Sequence, residues 1–347
     1  MTLPDRKKRV TIKDVAHAAG VSTQTVSRVI NNVSYVSEGT RKRVENVVEE
    51  MGYRPSTLAR SLIQQKSYTL GIVTYGLKYI GPSRTLNGIA DMADQLGYML
   101  LMKEIDDFET ASIEEVLDSL LARQVDGILW AVPEIGPNRD WLSDRLASIP
   151  VPVLFLTMEP HPGVPSISTD NYQGAVMAVQ HLLDHGRRRI GHISGPMDWW
   201  EARERKRGWR ATLEKNGMDA SDYRCTEGNW SSASGEQAFI QLLKAFPYLD
   251  AVFVANDQMA LSVLREAHRQ DIHVPEQLAV VGFDNIPESA FFYPSLTTVS
   301  QNPQLLGEQA IQNIVEMIQS RQENQPVIAT SRFIQPTLII RESTSPA

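Results

Sequence analysis

Apolar positions in the first part of the chain recur at helical spacing in short runs. Thr11 with Asp14 three positions later has the spacing of a capping box, and Val15, Ala18 and Ala19 give the segment an apolar side before Gly20 stops it. Ser22 then stands as N-cap of a second helix, 23–30, on which only Val26, Val29 and Ile30 are apolar. The connection Gly20-Val21-Ser22 has the length a helix-turn-helix needs, with glycine at its corner. A third helix follows the N-cap Ser37, carries Val44, Val47, Val48 and Met51 on one face, and ends at Gly52. Ser56 opens a fourth amphipathic segment with Leu58, Ala59, Leu62 and Ile63, too short to hold alone because helix nucleation is costly. It is expected to order only against a partner, as an apolar wedge entering a minor groove, where the plainer reading is a linker.

From Thr69 the pattern changes to apolar runs separated by helical ones. The runs LGIVTY, YMLLMK, DGILWAV, VPVLFL, RIGHIS, AVFVAND and LAVVGFD read as strands, and 85–96, 112–123, 172–185, 201–216, 235–246 and 258–270 read as helices. This alternation predicts a doubly wound α/β body with units enough for two parallel sheets. Ligands in such sheets sit at the carboxyl ends of strands. The residues just past those ends are Tyr75, Tyr79, Asp170, Asn171, Arg203, Trp230, Asn256, Asp257, Asp284 and Gln301. Paired donors and acceptors with aromatic faces suit a neutral polyol. For Asn256, Asp257 and Asp284 helix capping is the competing reading, and it is strongest for Asp257.

Composition narrows the class. With 347 residues, 42% hydrophobic and 22% charged, the chain has room for two or three folded domains and is not a disordered tail. Its net charge of -7 conceals an asymmetry: residues 1–66 hold 12 Lys and Arg against 6 Asp and Glu, leaving 22 against 35 in the rest. A basic head attracts a polyanion that an acidic body repels, which predicts a nucleic-acid-binding N-terminus. Thr23, Gln24 and Arg28 would then enter a major groove, where Gln can pair with adenine and Arg with guanine; the alternative is an ordinary solvated face. No apolar stretch reaches 18 residues, so no membrane partner and no export are expected, and the single Cys225 suits a reducing cytoplasm.

Catalysis finds no candidate. His181 and His185 are four apart on a helix but lack the glutamate of a zinc-protease motif, so no metal is expected. The chain has no G-x-G-x-x-G, P-loop or G-x-S-x-G motif, so neither a cofactor nor an enzyme is expected.

The stretch VTIKDVAHAAGVSTQTVSRVINNVSYVSEGTRKRVENVVEEMGYRPSTLARSL resembles, without a gap, the DNA-binding segment of the lactose and galactose repressor (LacI/GalR) family. The segments ISTDNYQGAVMAVQHLLDHGRRRIGHISGP, EARERKRGWRATL, EGNWSSASG, VFVANDQMAL and LAVVGFDNIPES look like that family's effector domain. The resemblance implies an all-α helix-turn-helix DNA-binding domain followed by an α/β two-lobed periplasmic-binding-protein-like domain. It implies that Thr23, Gln24 and Arg28 read base edges, that Ser22, Thr25, Asn31 and Tyr35 grip phosphates, and that Ala59 and Leu62 belong to a hinge helix inserted at the operator centre. In the body it makes Arg203, Asn256 and Asp284 a clamp on sugar hydroxyls, Trp230 a stacking ring and Gln301 a nearby polar group. Tyr75, Tyr79 and Pro82 would line the N-terminal side. Gln173 and Trp199 depart from the family pattern at the other end of the sugar.

The implied protein is a bacterial, cytoplasmic transcriptional repressor, associated with the nucleoid when on DNA. It would be a homodimer on a pseudo-palindromic operator, released by a small sugar; a corepressor-type regulator, bound more tightly with ligand, is the alternative. The chain stops at RESTSPA without a further leucine-heptad helix, which favours a dimer over a tetramer. Expected boundaries are 1–55 for the helix-turn-helix, 56–67 for the hinge helix and linker, 68–342 for the effector domain and 343–347 for a tail. Within the effector domain the N-lobe is expected at 68–186 and 301–330, the C-lobe at 187–300 and 331–342.

Overall fold

The computed structural model describes residues 10–30, 35–54, 66–77, 79–105, 110–136, 145–326 and 330–345. The chain forms two compact units, Met1–Ser67 and Tyr68–Ala347. In the first, helices α1 (Ile12–Ala19), α2 (Thr23–Ile30) and α3 (Glu38–Glu50) surround one small core. Thr11 and Asp14 close the expected capping box, and Gly20 takes the left-handed conformation, φ 64°, that turns the chain into α2. Val15, Ala16, Ala19, Val26, Val29 and Val44 are buried, with Ile30, Val47, Val48 and Met51 packed around them. Ala16, not Ala18, completes the buried side of α1; Ala18 lies exposed on the opposite face.

The second unit is built on two six-stranded sheets. The strands are β1 (Thr69–Thr74), β2 (Met99–Glu104), β3 (Gly127–Ala131), β4 (Val153–Leu156), β5 (Ser166–Thr169), β6 (Ile190–Ser194), β7 (Cys225–Glu227), β8 (Ala251–Val254), β9 (Ala279–Phe283), β10 (Thr297–Ser300), β11 (Ser331–Ile334) and β12 (Thr337–Ile339). The helices are α4 (Ile80–Gln95), α5 (Thr110–Leu121), α6 (Asn171–Asp184), α7 (Trp200–Lys215), α8 (Ser232–Ala245), α9 (Asp257–Arg269) and α10 (Pro303–Gln322). The first sheet runs β11-β5-β4-β3-β1-β2 and the second β12-β10-β9-β8-β6-β7. All pairs are parallel except β12 on β10. Buried apolar strands such as β8 and β9 match this arrangement, because helices cover both faces of a parallel sheet.

The chain passes between the sheets three times, at 169–171, 300–303 and 334–337. These crossings correct the expected lobe boundaries. Helix α6 belongs to the second lobe, since its Ala175, Ala178, Val179 and Leu182 pack with Trp209, Phe253 and Phe283. Strand β11 belongs to the first, paired Ser331 to Ser166 along β5. The expected tail is also corrected: Ser343 and Thr344 are buried, Ser343 Oγ donating to the Val280 carbonyl at 2.6 Å and Thr344 Oγ1 lying 2.7 Å from Thr297 Oγ1.

Strands β5, β7, β10, β11 and β12 and helix α10 fall outside the segments the pattern picks out. SIST and TTVS read as polar, yet Ser166, Ser168, Thr297 and Thr298 are buried, which is tolerated because their hydroxyls are bonded within the fold. Helix α10 lies tight against α4: a Cβ at Gly88 would stand 2.3 Å from the Gln304 carbonyl oxygen, so only glycine permits the approach. Among the described residues no helix is long and apolar enough to cross a membrane.

Candidate functional site

In the head, the Ser22 side chain accepts from the Thr25 amide at 3.1 Å, and the two hydroxyls meet at 2.9 Å. This cap anchors the first turn of α2, while Val26 and Val29 bury its inner side. Ser22, Thr23, Gln24 and Arg28 are left exposed and Thr25 half-buried. Tyr35 is 88% exposed, far more than a core aromatic tolerates. The helix thus offers an amide, hydroxyls and a guanidinium outward from a firmly seated backbone. Asn31, Ala59 and Leu62 lie outside the described residues, as does most of the expected hinge.

In the body, a cavity of about 150 Å³ opens where the carboxyl ends of both sheets face each other. That is roughly tenfold the space one water needs, enough for a small organic ligand. Strand and helix ends of the first lobe supply Thr74, Tyr75, Tyr79, Pro82, Arg84, Thr157 and Thr169. The second lobe supplies Trp199, Glu201, Arg205, Trp230, Asn256 and Asp284, and Gln301 enters from the crossing before α10. Trp199 lies 5.9 Å from Trp230, 6.2 Å from Tyr75 and 6.3 Å from Tyr79, so one ring cluster joins the two lobes. Thr157, Trp230 and Asp284 have φ of 57°, 72° and 114°. Left-handed backbone at non-glycine residues costs energy that the surrounding packing must supply, and such strain gathers at binding sites.

Two sequence expectations are corrected here. Arg203 does not line the cavity; its guanidinium reaches Glu159 Oε2 of the other lobe at 3.1 Å. The arginine of α7 that lines the cavity is Arg205, two residues on and so on the opposite face of the helix. Arg205 is 4% exposed, donates from Nε to Asn171 Oδ1 at 2.8 Å and from Nη1 to the Ala255 carbonyl, and stacks 3.8 Å over the Phe283 ring. Its Nη1 stands 3.8 Å from Asp284 Oδ1. The spacing of Arg205 with the buried Ala202, Trp209 and Thr212 was the signal that could have found it. Gln173 is likewise outside the cavity, exposed in the first turn of α6 with its amide donating to Asp170 Oδ1. Trp199 lines the cavity, whereas the adjacent Trp200 is buried outside it.

The capping readings divide. Asn256 does cap α9, its Oδ1 accepting from the Met259 amide at 2.9 Å, while its Nδ2 donates to the Trp230 backbone carbonyl at 2.9 Å. Asp257 caps nothing: its carboxylate accepts from Thr298 Oγ1 at 2.6 Å and the Ile286 amide at 2.9 Å, away from the cavity. Burial pushes its carboxyl up to about 8, and neighbouring Asp284 adds to the rise. Asp284 accepts from Gln301 Nε2. Burial raises Asp284 to about 6, while Arg205 pulls the other way by favouring its charge. Glu201, absent from the sequence reading, is 9% exposed and pushed up to about 7 by burial. A glutamate on a charged helix carries no sequence signal that it faces a cavity.

Among the described residues no group of three or more His, Cys, Asp or Glu could hold a metal ion. His181 is engaged by Thr344 Oγ1 at 2.9 Å, and burial lowers its pKa to about 4.

Comparison with known proteins places both units. A family model described as "Bacterial regulatory proteins, lacI family" matches residues 11–56, and one described as "Periplasmic binding protein-like domain" matches residues 179–344. The lactose operon repressor of Escherichia coli K12 is 32% identical over 337 residues, 97% of this chain and 91% of that one. The crystal structure of the lac repressor dimer bound to operator and the anti-inducer ONPF matches with a TM-score of 0.87 at 32% identity, covering 97% of this chain and 99% of that one. The transcriptional regulator CelR in complex with cellobiose matches with a TM-score of 0.71 at 29% identity, covering 96% and 100%.

Proposed function

Since this chain belongs to the lacI family of bacterial regulatory proteins, we propose that it is a sequence-specific transcriptional repressor released from its operator by a small sugar or glycoside. The observation that carries the reading is the cavity between two sheets joined by three crossings. A ligand there touches both lobes at once, so its binding energy acts on the angle between them. The lining suits a polyol: Asp284, Asn256, Gln301 and Arg205 supply acceptors and donors, and the Trp230 and Trp199 rings supply apolar faces for C–H surfaces. The relative solved with cellobiose supports this ligand class.

In the head, Thr23, Gln24 and Arg28 read base edges, with Ser22, Thr25, Asn31 and Tyr35 on phosphates and Ala59 and Leu62 at the central step. A homodimer presents two such heads to a pseudo-palindrome, as the dimeric relative on its operator supports. Ligand binding changes the lobe angle, the two N-terminal lobes shift, and operator affinity falls by the coupling free energy.

An operator mobility-shift assay, with and without cellobiose, lactose and purine bases, tests the reading. Weaker DNA binding with a sugar is the expected result. Tighter binding with any of these ligands establishes a corepressor instead and overturns the inducer model.

A further inference from the structure

We propose that Glu201 is the acceptor that selects neutral polyols: its carboxylate takes hydrogen bonds from a pair of ligand hydroxyls and bars anionic ligands from the same place. The inference deepens the sugar-sensing reading and rests on it. Glu201 lies in the first turn of α7, lines the cavity and is 9% exposed. Its one hydrogen bond from the protein is to its own backbone amide. Among the described residues no side chain bonds its carboxyl oxygens.

The charged neighbours are committed elsewhere: Arg84, which also lines the cavity, donates to the Asn285 carbonyl at 3.1 Å. Arg205, one helical turn on, is turned to Asn171, the Ala255 carbonyl and Asp284. Arg203 is paired with Glu159 across the cleft. Glu134, from the loop after β3, accepts from His161 Nε2 at 2.8 Å and from the Glu159 amide at 2.8 Å. A carboxylate with four lone-pair sites and no side-chain partner is therefore offered to whatever fills the cavity. Hydroxyl pairs satisfy it, whereas a phosphate or carboxylate would meet Glu201 and Asp284 together in a medium that screens poorly.

A proton linkage follows. Burial holds the free Glu201 carboxyl up at about 7, with the Glu134 charge adding to the rise and Arg205 and Arg203 opposing it. Hydroxyl donors favour the charged form, so the ligand lowers this pKa and its binding releases a proton. Affinity then rises with pH through the free-state value and levels off above it. From pH 8 down to pH 6 the loss is roughly tenfold.

The test is calorimetric titration of the full chain and its Glu201→Gln variant with cellobiose, lactose, glucose and glucose 6-phosphate at pH 6, 7 and 8. The wild type is expected to bind a neutral sugar, to reject glucose 6-phosphate and to show the tenfold pH dependence. Glu201→Gln is expected to bind the same sugar roughly 10- to 100-fold more weakly at pH 8, with a flat profile. Unchanged affinity in the variant overturns the proposal, and so does a slope that persists, which would belong to Asp284. Preference for glucose 6-phosphate overturns it while leaving a sugar sensor. Failure of every sugar with the wild type overturns the sugar reading and this inference with it.

Discussion

Replacing Arg205 and Arg203 in turn gives opposite outcomes, because two residues along a helix change everything the guanidinium touches. Arg205→Leu leaves Asn171 Oδ1 and the Ala255 carbonyl buried without their donor. Each such orphan costs about 1 to 3 kcal/mol. The isobutyl group recovers part of the contact with Phe283, and Asp284, deprived of its counter-charge, takes up a proton instead of staying buried as an anion. The sum is roughly 3 to 5 kcal/mol, the usual cost of removing one partner from a buried ionic network. For a body of this length that lowers the melting temperature by about 6 to 10 °C. Arg203→Leu breaks a pair whose side chains are 33% and 52% exposed, worth under about 1 kcal/mol. Arg205→Lys keeps the charge but not the planar fork, and is expected to fold while binding sugar at least roughly tenfold more weakly. Scanning calorimetry and sugar titration read both effects. If Arg203→Leu abolished sugar binding while Arg205→Lys retained it, the assignment of Arg205 to the cavity would be wrong.

Three further outcomes are expected. Gln24→Ala should lose roughly 1 to 3 kcal/mol at one operator position, measured by competition with base-substituted operators; equal weakening on every sequence would count against base reading. Gly195→Ala should abolish sugar response while the protein still shifts operator, since its Cβ would lie 2.1 Å from the Trp230 ring and must displace it; sugar affinity within twofold of the wild type would refute this. Stability should fall as pH rises from 6.5 to 8, by roughly 2 kcal/mol. In that window the folded chain still holds protons on Glu201, near 7, and Asp257, near 8, that the unfolded chain has already released, so unfolding becomes easier. The lowered His181 and His192 oppose the fall by under about 1 kcal/mol, because their unfolded counterparts, at the ordinary 6.5, finish losing protons in the same window. A denaturation midpoint that rises across this range would contradict the buried carboxyls.

Wherever its structure is described the head was legible, except that Ala16 and not Ala18 completes the buried side of α1. Thr11, Asp14, Gly20 and Ser22 act through neighbours three or four residues away, so their spacing already carries their geometry. The apolar strands of the body were legible for the same reason, since burial on both faces demands unbroken Val, Ile, Leu and Phe. Eight of the ten sugar-site expectations, Tyr75, Tyr79, Pro82, Trp199, Trp230, Asn256, Asp284 and Gln301, do line the cavity.

What only tertiary structure decided were contacts between residues far apart in the chain. Whether SIST and TTVS are buried strands depends on partners such as Ser331 and Asp257, which no local pattern announces. Whether Arg203 or Arg205 faces the cavity depends on how α7 is rolled onto its sheet, a rotation set by Trp209 packing among Ala175 and Phe253. Glu201 follows from that same roll. Amino-acid order determined the helices of the head, the apolar strands of the body and the fold class because those rest on short-range periodicity; the assembled packing determined which polar strands are buried and which polar side chains face a ligand.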